Sequence, residues 1–303
     1  MSPVTPDDYR RQDIFDSEIE KVFRPSWVCV GFTDDLRRSG DFVTSQIGRH
    51  NIVVQNFDGT LKAFQNVCSH RFSRIQCDRK GHRSLTCPYH GWTYDAEGVP
   101  VGIPGNREAF GFDDADRRAL ALEAYALEVC SHFVFVRMSR EGPGLRAFLG
   151  SIFGILEHLA ETCPDRFDSQ QIEWDFNWKI GMDNAAEGYH VPLIHPESFA
   201  LMLKPGLRLT TDGEHGYYIG DLKDRSNAWW GGVARAIGLR PSPIYTQYAS
   251  FLIFPNIVIN FSYGAFLAFQ IFDPLDVERL SINAGAGWRT TRAGRRATWW
   301  WRS

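Results

Sequence analysis

Apolar residues near the start of the chain recur at a near-helical spacing, and this pattern stops at Pro25. The residues that form it are Ile14, Phe15, Ile19, Val22 and Phe23. Apolar side chains three or four positions apart share one face of a helix, and proline ends helices. The pattern predicts a short helix over residues 13–24.

Between residues 27 and 140 the pattern changes to short β-rich runs separated by long loops. The runs Asn51–Phe57 and Thr60–Phe64 flank Asp58-Gly59, a dipeptide typical of a hairpin turn. Ser131–Arg137 predicts a further strand. We expect a small, mostly β domain here, which the sequence EGPG at 141–144 separates from the rest.

After this break, an amphipathic helix is predicted from seven apolar residues on one face: Leu145, Phe148, Leu149, Ile152, Ile155, Leu156 and Leu159. Strands are predicted at Gly216–Ile219 and within 245–272, and helical turns at 183–190 and 227–238. This mixture indicates an α+β fold with an antiparallel sheet and helices.

The chain therefore divides into four predicted regions. Residues 1–26 form an N-terminal helical segment, and residues 27–140 form the β-rich domain. Residues 141–285 form the α+β domain, which we expect to be incomplete. Residues 286–303 form a tail rich in Arg and Trp that shows no hydrophobic period.

Charge and composition exclude several classes of protein. Lys and Arg total 33 against 36 for Asp and Glu, giving a net charge of −3, whereas dedicated nucleic-acid binders carry a basic surplus. The first residues contain no apolar run typical of a secretory signal, and no apolar stretch is long enough to span a membrane. We therefore expect a cytoplasmic protein. In such a chain, clustered Cys and His residues point to metal rather than disulfides.

Two Cys and two His residues form the first candidate metal centre. Cys68 and His70 stand two positions apart, and Cys87 and His90 follow after sixteen intervening residues. Zinc is the default metal for such a set. However, one Cys and one His in each of two loops also suit a two-iron cluster, in which one iron takes both thiolates and the other both imidazoles.

The surrounding residues favour the iron cluster. The segments NVCSHR (66–71) and CPYHGWTYD (87–95) resemble the Rieske [2Fe–2S] domain of ring-hydroxylating oxygenases. Respiratory Rieske proteins carry an extra Cys in each loop, which form a disulfide, but Tyr89 occupies that position here. The remaining cysteines are expected to be buried apolar residues or inert thiols: Cys29, Cys77, Cys130 and Cys163.

A second candidate centre lies in the segment 177–196, which contains His190 and His195. A five-residue spacing is a poor match to one helical face, but we expect Pro192 to disfavour helix at Val191 and to bring the two His together. Two His and one carboxylate form the facial triad of non-haem Fe(II) oxygenases.

This segment also resembles the oxygenase family, through the pattern D/E-N-x-x-E-x-Y-H-x-x-x-x-H. The resemblance implies that His190 and His195 bind a mononuclear iron and that Asp183 and Asn184 support the site or line its pocket. Glu187 stands three residues before His190, so we expect the two to share a helical face. In the family the acidic residue at this position links an iron-ligand His to a Rieske His of the neighbouring subunit, which implies a link from His190 to His90 of that subunit. Tyr189 is expected to pack.

The resemblance implies a terminal oxygenase with two cofactors, a Rieske [2Fe–2S] cluster and a mononuclear Fe(II). The expected partners are O2, an NAD(P)H-dependent reductase with or without a ferredoxin, and an aromatic small-molecule substrate. A homotrimer or an α3β3 assembly is expected. We expect no binding to nucleic acid or to a membrane. These features are typical of enzymes of aromatic hydrocarbon catabolism.

The family's third iron ligand, an Asp or Glu near the end of a longer chain, is not found. Asp273, Asp276 and Glu278 are the last acidic residues, and none is assigned. We therefore hypothesise from the sequence that the chain is truncated or frame-shifted near residue 285.

Three alternatives stay open. A monooxygenase of quaternary ammonium compounds would hold its cation against aromatic faces. An electron-transfer Rieske protein would result if the iron site were empty. A zinc-stabilised binding module is the third, and its lack of colour would distinguish it from a red-brown Rieske protein.

Overall fold

The structure, a computed structural model, describes residues 4–162, 168–206, 208–238, 246–264 and 266–288. Cys163 and most of the predicted Arg- and Trp-rich tail, residues 289–303, lie outside the described residues. The chain begins with a 3-10 turn at Pro6–Tyr9, helix α1 at Gln12–Glu18 and a π-helical turn at Ile19–Phe23. The predicted helix over 13–24 is therefore confirmed, with a wider last turn.

A seven-stranded antiparallel sheet forms the N-terminal unit, in the order β1-β9-β8-β4-β3-β2-β5, and β6 and β7 form a separate pair. The strands are β1 Val28–Phe32, β2 Asp41–Ile47, β3 His50–Phe57, β4 Thr60–Gln65, β5 Lys80–His82, β6 Thr93–Tyr94, β7 Pro100–Gly102, β8 Ala124–Cys130 and β9 Phe133–Arg137, with helix α2 at Asp114–Ala119. The predicted hairpin is present, because Asp58 and Gly59 both adopt positive φ (49° and 92°) between β3 and β4.

The C-terminal unit begins with two helices, α3 at Leu145–Leu149 and α4 at Ser151–Thr162. The prediction of one continuous helix is therefore wrong. Gly150 adopts φ 54° and ψ −128°, a conformation outside the helical region, and breaks the helix there. The apolar side chains on both sides of the break still pack into one core.

The remaining strands form a second antiparallel sheet of seven, in the order β10-β16-β15-β14-β13-β12-β11. The strands are β10 Asp168–Trp174, β11 Arg208–Asp212, β12 His215–Gly220, β13 Tyr248–Ile253, β14 Ile257–Ser262, β15 Phe266–Asp276 and β16 Arg279–Trp288. The helices are α5 Trp178–Ala186, α6 Val191–Ile194, α7 Phe199–Met202 and α8 Asp224–Ile237. The α+β prediction with antiparallel sheets is confirmed.

The two sheets share much of their hydrophobic core, although one further cluster, around Phe42, Phe64 and Trp92, lies within the N-terminal unit. Trp27, Phe133 and Phe135 of the N-terminal unit pack with Phe251 and Phe269 of the second sheet. Burial of large aromatic side chains is a major source of folding free energy. The sheets therefore depend on each other for burial.

Polar contacts fix the register of this packing. The amide of Cys29 in β1 donates to Oδ1 of Asn256, and Nδ2 of Asn256 donates to the carbonyl of Cys29, both at 2.9 Å and both buried. Arg79 of the N-terminal unit reaches the buried Asp273 of β15, with 2.9 Å between Nη1 and Oδ2. Within the described residues, no helix has the length and apolar character needed to span a membrane.

Replacement of Asn256 by Ala is expected to lower the free energy of unfolding by about 2–6 kcal/mol, because two buried backbone groups of Cys29 lose their partners at about 1–3 kcal/mol each. Urea unfolding followed by Trp fluorescence measures the change. Asn227→Ala, on an exposed face of α8, is the control and is expected within about 0.5 kcal/mol of the parent. Equal effects of the two substitutions would contradict the prediction.

Candidate metal centres

Two loops of the N-terminal unit have the same backbone hydrogen-bond pattern, and each begins with a cysteine. In the first cysteine loop the amide of Cys68 donates to the carbonyl of Ser73 and that of Phe72 to Cys68, at 2.8 and 2.9 Å. In the second cysteine loop the same bonds join Cys87 to Trp92 and Gly91 to Cys87, at 2.8 and 3.0 Å. The two loops are therefore equivalent turns.

Each turn requires a left-handed residue four positions after its cysteine. Gly91 fills that position in the second loop with φ 73°, but Phe72 fills it in the first with φ 56°. A phenylalanine in this conformation is strained, and such strain is found at functional sites. The side chain of Phe72 is also 79% exposed, so it gains little from burial in this chain.

The loops bring the four predicted residues of the first centre together. Cys68 and Cys87 are both buried, and their thiols interact with each other. The rings of His70 and His90 lie nearer the surface, with 4.6 Å between their centroids. His70 also stacks on Trp92 at 4.8 Å, which fixes the plane of its ring.

These residues fit a metal cluster. Nδ1 of His70 is buried and makes no hydrogen bond to the described residues, although buried polar atoms normally have a partner. Burial, and then the neighbouring His90, lower the pKa of His70 and favour the neutral imidazole that binds metals. Paired thiols below and paired imidazoles above suit two irons with different ligands.

Tyr94 adds a hydrogen bond to one of the candidate ligands. Its hydroxyl lies 3.0 Å from Sγ of Cys68 and accepts from the amide of Ser69 at 3.1 Å. The hydroxyl of Ser69 also lies 3.1 Å from the tyrosine oxygen, but a metal-bound thiolate can only accept, so the phenol would donate its proton to the sulfur once Cys68 is a ligand. Hydrogen bonds to cluster sulfurs are one of the main controls of reduction potential.

The second pair of histidines brackets a helix of a single turn. His190 precedes α6 and His195 follows it, and their ring centroids are 5.3 Å apart. The prediction that Pro192 disfavours helix at Val191 is wrong, because Val191 is the first residue of α6. Proline lacks an amide proton, which the first turn of a helix does not need, so Pro192 starts this helix. The predicted approach of the two His residues is present.

Glu187 holds His190 from one side. Its carboxylate accepts hydrogen bonds from Nδ1 of His190 and from the amides of Tyr189 and His190, the last at 3.2 Å. Partial burial acts to raise the pKa of Glu187, but these bonds outweigh it and lower the pKa overall. The contact does not use a shared helical face as predicted, because Glu187 is extended (φ −136°, ψ 153°) after the end of α5.

A cavity of about 280 Å³ opens beside these two histidines. Sequence reasoning identified only part of its wall, namely Asn184, Glu187, His190 and His195. The residues it missed come mainly from α7 and strands β12–β15, and include Phe199, Tyr218, Tyr248, Ser250, Asn260 and Gln270. The polar ones interrupt otherwise apolar strands, which is the signal that could have revealed them.

The other predicted site residues occupy different places. Asn184 lines the cavity, whereas Asp183 is exposed and accepts a hydrogen bond from the hydroxyl of Tyr9 at 2.6 Å. Tyr189, which we expected to pack, is 92% exposed, because it lies in the turn after α5 rather than against the sheet.

The described wall of the cavity contains one carboxylate, Glu187. Asp273 is paired with Arg79 at the contact between the two units, and Asp276 lines a separate cleft there. The residues present thus supply the two imidazoles of a facial triad.

Family comparisons agree with this pair of sites. Residues 26–126 match the Rieske [2Fe-2S] domain, and residues 164–289 match the ring hydroxylating alpha subunit catalytic domain. The chain belongs to the Rieske oxygenase alpha subunits. This family carries a [2Fe–2S] cluster and a mononuclear iron, the two groups that the sequence predicted.

The Rieske oxygenase relatives have different substrates in their names. The chain is 30% identical over 199 residues to the N,N-dimethyl phenylurea N-demethylase subunit alpha of a Sphingobium species, covering 62% of this chain and 42% of the relative. It is 27% identical over 233 residues to the toluate 1,2-dioxygenase subunit alpha of Pseudomonas putida, covering 72% and 48%. The chain thus spans about half the length of these curated relatives.

A solved structure has the same fold. The quaternary ammonium Rieske monooxygenase CntA superposes with a TM-score of 0.79 and 22% identity, covering 96% of this chain and 76% of that one. At this identity the likeness concerns the fold alone.

The hydroxyl of Tyr94 generates a prediction for the Rieske centre. In Tyr94→Phe the potential of the reconstituted cluster is expected to fall by about 60 mV, because a hydrogen bond to sulfur favours the reduced form by about 1.4 kcal/mol. Protein-film voltammetry measures the potential. Tyr125→Phe removes a hydroxyl that has no hydrogen-bond partner and is the control. An unchanged potential in Tyr94→Phe would contradict the assigned hydrogen bond.

Proposed function

We propose that this chain is the oxygenase component of a Rieske non-haem iron system, which uses electrons from a reductase and O2 to hydroxylate a small organic substrate. One observation carries the proposal. The chain combines two separate sets of candidate ligands, Cys68, His70, Cys87 and His90 in one unit and His190 with His195 in the other, and a cavity opens beside the second set.

Each residue has a proposed role. Cys68 and Cys87 would hold one iron of the cluster and His70 and His90 the other, while His190 and His195 would hold the mononuclear iron. When bound, the cluster supplies single electrons and the mononuclear iron activates O2. Glu187 orients His190 through Nδ1, which leaves Nε2 free for the metal.

Exposed apolar residues near both centres support an assembly of several subunits. Phe72 and Tyr89 are 79% and 59% exposed beside the first centre, and Tyr189 and Leu193 are 92% and 80% exposed beside the second. Contiguous exposed apolar residues mark interaction surfaces. In a ring of subunits, the exposed residues beside the first centre of one subunit would dock on those beside the second centre of its neighbour. Glu187 would then link His190 to the neighbour's His90. We propose a homotrimer or α3β3 assembly, supplied by an NAD(P)H-dependent reductase directly or through a ferredoxin, in the cytoplasm.

The cavity favours an uncharged aromatic substrate. Phe199, Tyr218 and Tyr248 offer ring faces, and Asn260 and Gln270 offer hydrogen bonds. The wall, as far as it is described, includes no Lys or Arg that could pair with a carboxylate. Ring faces and a few polar groups are typical of sites for small aromatic molecules.

A second candidate substrate is a quaternary ammonium compound. The fold of CntA, a quaternary ammonium monooxygenase by name, is shared, and Glu187 with Tyr218 and Tyr248 gives a cation both a negative charge and aromatic faces. Indole and glycine betaine separate the candidates in single-turnover assays with dithionite-reduced protein. Hydroxylation of indole supports the aromatic assignment, and oxidation of glycine betaine alone overturns it.

Iron and acid-labile sulfide content test the proposal itself. Protein purified without oxygen is expected to contain about three irons for two sulfides, with a Rieske-type paramagnetic signal after reduction. Two irons for two sulfides with the same signal would instead support an electron-transfer protein. A colourless, sulfide-free protein would support the zinc alternative and overturn the proposal.

Glu187 generates a further prediction. Glu187→Gln is expected to keep the cluster spectrum but to lower single-turnover product formation about 10–100-fold, because His190 loses its carboxylate partner. The control is Glu173→Gln, which removes an exposed carboxylate paired with Arg279. Full product formation in Glu187→Gln would contradict the role of Glu187.

A further inference from the structure

Helix α5 carries the residues that lead into the second centre. Asn184 and Ala185 of this helix line the cavity, and Glu187 follows directly after its last residue. One side of α5 packs closely on the second sheet, since a Cβ on Gly181 would lie 2.8 Å from the ring of Phe272. The placement of α5 therefore sets the placement of Glu187.

The segment after α5 has little anchoring of its own. Tyr189, Leu193 and Ile194 are mostly exposed, and α6 consists of a single turn without buried residues. Segments with few buried contacts have low local stability. The positions of Glu187 and His190 therefore depend largely on α5 and its contacts.

The N-terminal segment packs Phe23 on Trp178 of α5, with 4.8 Å between the ring centroids, and forms hydrogen bonds to α5 through two further side chains. The carboxylate of Glu18 accepts from Nε1 of Trp178 at 2.9 Å and from Nζ of Lys179 at 2.7 and 2.8 Å. Tyr9 donates its hydroxyl to Asp183 at 2.6 Å, and the ammonium of Lys179 lies 5.3 Å from the centre of its ring. Two adjacent turns of α5 are thus tied to the start of the chain.

The ion pair between Glu18 and Lys179 is better shielded from water than typical surface pairs. The side chains of Glu18 and Lys179 are 17% and 16% exposed, whereas Glu20 in the same segment pairs with Arg24 and Arg49, which are 45% and 81% exposed. Exposed pairs contribute little, and breaking a shielded pair leaves a poorly solvated charge. Glu18 and Glu20 can therefore be compared by mutation, because both form ion pairs but only Glu18 contacts α5 in the described structure.

We propose that Tyr9 and Glu18 are positioning residues that hold α5 in the place where Glu187 can bind His190. Neither side chain lines the cavity, so both act through the helix. Their importance for catalysis rests on the proposed oxygenase function, but their effect on the position of Glu187 does not.

The amides of Tyr189 and His190 provide a direct test, because both donate to Glu187. In Glu18→Gln and in Tyr9→Phe, hydrogen exchange of these two amides and of α5 is expected to rise about tenfold. Exchange in the β3–β4 hairpin is expected to stay unchanged. Glu20→Gln and Tyr125→Phe are the controls and should leave α5 and the two amides unaffected.

Restoration of the ion pair strengthens the test. Glu18→Lys and Lys179→Glu are each expected to raise exchange in α5, and the double substitution to recover part of the protection, because it restores the ion pair but leaves Nε1 of Trp178 without its acceptor. Equal effects of Glu18→Gln and Glu20→Gln, or faster exchange in α5 without any change at Tyr189 and His190, would overturn the proposal.

Fe(II) titration of the second centre separates this proposal from the proposed function. If the parent protein binds Fe(II), Glu18→Gln is expected to bind it about tenfold more weakly at unchanged sulfide content, and equal affinity would overturn the positioning role. If the parent protein binds none, the proposed function fails, while the exchange of the two amides still decides whether Tyr9 and Glu18 position Glu187.

Discussion

The rest of the structure depends on the core shared by the two sheets. Phe133 and Phe135 of β9 lie in one buried cluster with Phe251 of β13 and Phe269 of β15, so each sheet buries much of its apolar surface against the other. Asn256 adds direction to this contact, because its amide satisfies both the amide and the carbonyl of Cys29 and thus permits one alignment of β1. A rigid joint of this kind suits a protein whose two centres must keep a fixed arrangement while a subunit takes its place in an assembly.

The cysteine loops could be predicted from the sequence because their chemistry is local. The spacing within each loop brings one Cys and one His together, and the hairpin turn at Asp58-Gly59 is encoded by two adjacent residues. The matching Cys and His in the two loops also indicated one shared centre, and the family resemblance then favoured an iron cluster over zinc. Nothing local indicated that Phe72 takes the conformation that Gly91 takes in the second loop.

The cavity wall could not be predicted in the same way. Ser250 and Asn260 are neighbours only because β13 and β14 pair in one register, and Gln270 joins them through the pairing of β14 with β15. A register shift of one residue would turn each of these side chains to the other face of the sheet. The break at Gly150 and the start of α6 at Pro192 were misjudged for a related reason, since the apolar spacing continues across the first and a proline suits either a kink or a first turn.

The short helix between the two histidines makes the number of residues more important than their identity. Leu193 and Ile194 are mostly exposed, so their side chains contribute little to packing within the chain. Adding or removing one residue would instead rotate His195 by about 100° around the helix axis, away from His190. Length variation, usually harmless in loops, is therefore the change that this segment tolerates least, and an insertion or deletion there would separate the histidines without disturbing either sheet.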